Sequence, residues 1–109
     1  MSLMLAAVLV CNLNALNHTE RAQLNTYLDQ LSTSAANRQE LSNGYSWTID
    51  QKKMSIAEVG EWIALESRCC PFLSFTVELP ASGSMKLTLT GGADVKEFIL
   101  AEMHKLPKG

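Results

Sequence analysis

Leu73-Ser74-Phe75-Thr76-Val77-Glu78-Leu79 alternates apolar and polar residues without a break, so every second side chain falls on one face of an extended strand. Pro80-Ala81-Ser82-Gly83-Ser84 turns the chain into Met85-Lys86-Leu87-Thr88-Leu89-Thr90, which repeats the alternation. The two runs read as a hairpin whose loop exceeds two residues. Immediately upstream the period changes. Ser55-Ile56-Ala57-Glu58 has the form of a capping box, and the residues after it repeat as a helix does. Pro71 ends that helix by disfavouring helical geometry at Cys70.

Working outward, Gly91-Gly92 leads into a closing helix with Val95, Ile99, Met103 and Leu106 on its inner face. Tyr45-Ser46-Trp47-Thr48-Ile49 alternates as a strand, with an Asn43-Gly44 turn signal before it. The polar segment 33–44 reads as loop. Asn17 and Glu20 resemble a second capping box, opening a helix to about Ser32 with Leu24, Leu28 and Leu31 as its apolar stripe. Val8 to Leu13 is apolar and β-branched, which suits a first strand. The order is β-α-β-α-β-β-α. It predicts one α+β domain over residues 1–109, a two-layer sandwich with a four-stranded sheet and helices mainly on one face.

The chain has 109 residues, 47% hydrophobic and 18% charged, with net charge −2, the composition of an ordinary globular domain. Its basic residues are scattered except for Lys52-Lys53, so nothing in it is built to neutralise a phosphate backbone, and no nucleic-acid partner is expected. The run 1–11 lacks a basic start and a small-residue cleavage site, and is too short to span a bilayer; neither secretion signal nor membrane partner is expected. Homo-oligomerisation is left open.

Three cysteines are present, Cys11, Cys69 and Cys70, an odd number that does not suggest a secreted disulfide scaffold. Adjacent Cα atoms lie about 3.8 Å apart, closer than the roughly 4.4–6.8 Å that disulfides span. A Cys69–Cys70 bridge would be strained, and reduced thiols in a cytoplasm are the expectation. Helical phasing at about 100° per residue puts Ile56, Val59 and Ile63 on the core-facing arc, with Cys70 extending it. Cys69 leans toward Trp62. Glu66 falls inside the arc, whereas Glu61, Leu65 and Arg68 fall outside it. A carboxylate on a core stripe needs a partner. Arg21, three residues before Leu24 on the stripe of the first helix, is the clearest candidate, so a Glu66–Arg21 contact beside the thiols is expected.

The run Glu66-Ser67-Arg68-Cys69-Cys70-Pro71-Phe72 resembles the Glu-x-x-Cys-Cys-Pro-Phe signature of a small bacterial family of uncharacterised proteins. The likeness extends to Cys11 in a Cys-x-Leu context, Arg21 in the first helix, the Phe-containing strand and Thr90-Gly91 before the last helix. Gly92 stands where that pattern commonly has proline. The resemblance implies no established activity; some similar proteins are associated with heavy-metal-responsive systems.

Two functions follow from these residues. Thiolates select soft ions, so Cys69 and Cys70, with Cys11 if the fold brings it near, could hold a soft metal ion or a thiol-reactive ligand, backed by Glu66 and Arg21. The alternative is a non-catalytic structural or interaction domain whose cysteines only pack, since free cysteine is among the most buried residue types. Catalysis is the weaker expectation, because Cys-x-x-Cys is absent and no histidine base is placed by sequence near a thiol. His18 and His104 read as surface residues near helix ends. Trp62, Phe72 and Tyr45 are either core aromatics or the wall of a pocket beside the thiols.

Overall fold

The computed structural model describes residues 11–81 and 83–108. After a 3-10 turn at Leu13–Ala15 come α1 (His18–Ser34), β1 (Ala35–Leu41), β2 (Gly44–Ile49), α2 (Ile56–Cys69), β3 (Ser74–Glu78), β4 (Met85–Thr90) and α3 (Val95–Glu102). The four strands form one antiparallel sheet in the order β1-β2-β4-β3. The fold is therefore the expected α+β sandwich of three helices on a four-stranded sheet.

Both capping boxes exist. The Asn17 side chain accepts from the Glu20 N–H and Ser55 from the Glu58 N–H, and each glutamate carboxylate accepts from the backbone N–H of its cap residue. Cys70 is the C-cap of α2, with its own N–H bonded to the Glu66 carbonyl at 2.8 Å, and Pro71 follows as steric exclusion requires.

Register explains the layer. Trp47 pairs with Leu87, which pairs with Val77; Tyr45 pairs with Leu89, which pairs with Phe75. These side chains share the inner face, where Trp47, Ile49, Met85, Leu87 and Leu89 are fully buried against helix residues such as Val59, Trp62 and Ile99. Each such side chain contributes about 1.5–3 kcal/mol by leaving water. Ser74, Thr76 and Glu78 stay exposed on the opposite face. Gly44 is fixed by close approach: a Cβ there would sit 1.9 Å from the Leu89 carbonyl oxygen.

Two expectations about elements change. The segment 33–44, read as loop, ends α1 and then forms β1, an edge strand with one buried residue, Ala35, and four polar ones. Its register shifts between Ala36 and Gln39, where Asn37 adopts φ 56°. A bulged edge strand buries little, so it carries almost no hydrophobic alternation to read. Of the expected first strand at Val8–Leu13, residues 8–10 lie outside the described residues; the described half is not strand, since Cys11 and Asn12 are in no regular element and Leu13 opens the 3-10 turn. The buried arc of α2 is also rotated from the expected one. Ile56 is 44% exposed while Leu65 is buried, and the stripe runs Val59, Trp62, Glu66, Cys69. Spacing of three, four and three residues is the natural line of a helix face, and Ile56 overhangs its first turn.

Candidate functional site

The C-terminal end of α2 supplies Glu66 and Cys69, its cap supplies Cys70, and the chain before the 3-10 turn supplies Cys11. Two hydrogen bonds stitch the segment 11–16 onto the end of α2. Asn12 donates its N–H to the Cys69 carbonyl at 2.7 Å, and Arg68 donates to the Ala15 carbonyl at 2.9 Å. Arg68 also pairs with Glu20 at 2.6 Å, tying α2 to the first turn of α1. That guanidinium is the main reason the Glu20 carboxyl is held below its ordinary range.

Arg21 contributes from the other side. Its guanidinium donates to the Leu13 and Leu16 carbonyls at 3.2 and 3.0 Å, fixing the turn that follows Cys11. The expected Glu66–Arg21 pair is not among the ion pairs of the described residues. An arginine at a helix start can satisfy carbonyls of the adjoining turn, and that local partner takes it.

The sulfurs converge. Cys11 and Cys70 are joined as a disulfide across 59 residues, with Cα atoms 4.8 Å apart, inside the ordinary range. The expectation of three reduced thiols therefore does not hold for this pair. Cys69 is the free thiol, buried, with Sγ 3.8 Å from Cys70 Sγ and 3.4 Å from the Glu66 carbonyl oxygen. Adjacent cysteines on a regular helix diverge by about 100°; here the non-helical cap conformation of Cys70, φ −127° and ψ 67°, departs from that geometry. One sulfur from each of Cys11, Cys69 and Cys70 lies within 4.8 Å of the others.

Glu66 lies beneath them, with no exposed surface. Its Oε2 is 3.3 Å from Cys70 Sγ and 3.8 Å from Cys11 Sγ. Burial, and then the neighbouring Glu102 carboxyl, push the Glu66 pKa up to about 9. The Trp62 indole N–H pulls the other way without closing a hydrogen bond, since Trp62 Nε1 and Glu66 Oε1 are both buried without a partner. The same environment pushes the Cys69 thiol up to about 11, burial first and the two carboxyls after it. At pH 7 both Glu66 and Cys69 therefore hold their protons.

A recess of about 230 Å³ opens beside Cys11 and Glu102, walled by Leu24, Leu28, His104 and Lys105. None of the expected wall residues borders it. Trp62 packs edge-on against Phe75 in the core, and Phe72 against Phe98. Tyr45 sits at the other end of α3, beneath Arg38 and Lys96. No protein-family model, curated protein or solved structure matches the chain.

The residue that sequence reasoning passed over is Glu102, at the last turn of α3. It stands three residues after Ile99 and seven after Val95, so it shares their inward stripe. A second carboxylate on a core face was the available signal, masked by its position at a helix end, where exposure is the ordinary assumption.

Proposed function

We propose that this domain captures a soft metal ion or similar thiol-reactive electrophile through Cys11, Cys69 and Cys70, and that the Cys11–Cys70 disulfide is the closed form of the site. The observation that carries this reading is the gathering of three sulfurs, from segments far apart in sequence, within 4.8 Å of one another. Three thiolates around one ion with metal–sulfur bonds near 2.3 Å stand about 4.0 Å apart, close to the 3.8 Å between Cys69 and Cys70. Soft ions displace protons from thiols, so a raised thiol pKa slows but does not bar uptake. Cys11, half-buried and bordering the recess, is the entry point. The reading belongs to a reducing compartment such as the cytoplasm, and the resemblance to proteins of heavy-metal-responsive systems agrees with it.

The test is to reduce the full chain with a phosphine, desalt it anaerobically and titrate it with Hg(II) or Cu(I). One ion per chain is expected for the reduced protein and none at the same affinity for the oxidised protein, with at least a tenfold loss in Cys69→Ser. Folded, reduced protein whose three thiols take up no soft metal would leave packing as their role.

A further inference from the structure

Accepting the reading above that this cluster binds metal, we infer that opening the Cys11–Cys70 disulfide creates a second donor set, Cys11, Cys70, Glu66 and Glu102, suited to one divalent ion of the zinc class. One ligand atom from each of these four residues lies within 4.8 Å of the others. In a tetrahedral site with metal–sulfur bonds near 2.3 Å and metal–oxygen bonds near 2.1 Å, sulfur and oxygen ligands stand about 3.6 Å apart. The two separations from Glu66 Oε2, 3.3 Å to Cys70 Sγ and 3.8 Å to Cys11 Sγ, bracket that value. The sulfurs themselves need to part to about 3.8 Å, which breaking their bond allows.

The independent observation is Glu66 itself. It has no exposed surface, its Oε1 has no hydrogen-bond partner, and a carboxylate oxygen of Glu102 lies within 4.8 Å of its own ligand oxygen. Polar groups buried this deeply are nearly always satisfied. A cation is the one partner that answers two carboxyls and two sulfurs together. Donor chemistry then selects the ion. Four anionic donors demand a divalent charge, and mixed sulfur and oxygen ligands suit borderline Zn(II) or Co(II) better than Cu(I). Cys11 and Glu102 border the recess, so the ion enters there. Cys69 stands outside this set, its sulfur turned to the Glu66 carbonyl.

The chemistry balances with a phosphine as reductant. The phosphine takes one water oxygen, the S–S bond breaks, and two thiols form with the two water protons. The incoming ion then releases both thiol protons and the Glu66 carboxyl proton to solvent.

The experiment titrates the full chain, reduced and oxidised, with Co(II), reading the tetrahedral d–d bands and the sulfur-to-cobalt charge-transfer band. Reduced wild type is expected to take one Co(II), displaceable by Zn(II), and oxidised protein none. Glu102→Gln, a substitution at a partly exposed helix end, is expected to weaken Co(II) at least tenfold, while Cys69→Ser keeps it with the charge-transfer intensity of two thiolates. Loss of Co(II) in Cys69→Ser but not in Glu102→Gln would overturn the mixed donor set and favour three sulfurs. So would reduced wild type that binds Hg(II) or Cu(I) but no Co(II), which leaves the proposed function standing. Failure of every ion would remove both.

Discussion

Glu66 retains its proton in the fold because ionising it would place a charge among two sulfurs, an indole and a second carboxyl. Its folded pKa of about 9 lies above the ordinary 4.5, so between those values the folded chain holds a proton that the unfolded chain has released. Stability from this group is therefore complete below about pH 4.5 and is lost as pH rises toward 9, at about 1.4 kcal/mol per pH unit. Cys69 has the same sign but acts only above its ordinary 9.0. Glu66→Gln, neutral at every pH and close in shape, should flatten the decline and make oxidised protein more stable than wild type at pH 8. Urea denaturation of both proteins at pH 5, 7 and 8.5 measures this; parallel curves would show that Glu66 is charged in the folded state. At this scale the sequence was half legible. Phasing on α2 placed Glu66 inside the core because a single helix dictates where its residues point. Its neighbours depend on how the end of α3 meets the end of α2, which no local pattern encodes; Arg21 answers the sign of charge and lies on the α1 stripe, yet the carboxyl that comes to Glu66 is Glu102.

The helices show the opposite balance. Asn17 and Ser55 each satisfy an N–H that the first helical turn leaves open, and the reciprocal glutamates complete both boxes. Asn17→Ala and Ser55→Ala should each cost about 1 kcal/mol, read as a lower urea midpoint at unchanged slope. Asn17→Ala has a further effect: it loosens the turn whose glutamate also holds Arg68, and Arg68 in turn holds the Cys11 segment. Elements with strong local signals, α1, α2, α3, β2, β3 and β4, were readable for this reason: caps, alternation and the proline stop act within a few residues. β1 was not, because an exposed edge strand with a bulge is specified by its neighbour β2 and by the Ser42-Asn43 turn, not by its own composition.

For the whole molecule, the disulfide is the covalent constraint, joining residues 59 apart in sequence. Closing a loop of about 60 residues removes enough unfolded-state entropy to stabilise the fold by up to about 4 kcal/mol in the chain-entropy account. Cys11→Ser should lower stability by about 2–4 kcal/mol against oxidised wild type, and by much less against reduced wild type, when both are unfolded in urea. Equal stability in the two redox states would show that the bridge constrains nothing. No helix among the described residues is long and apolar enough to cross a membrane. The sheet, packed through Trp47, Leu87 and Leu89, is formed without residues 11 or 70. Reduction is therefore a local event at one end of the sandwich.

The bridge also changes what the chain is as a polymer. Stripped of its fold, the oxidised protein still holds a closed ring running from Cys11 to Cys70. The reduced chain is a plain thread. Such a ring has a smaller hydrodynamic size than the thread, so the redox state of the site is written in the mobility of the denatured protein.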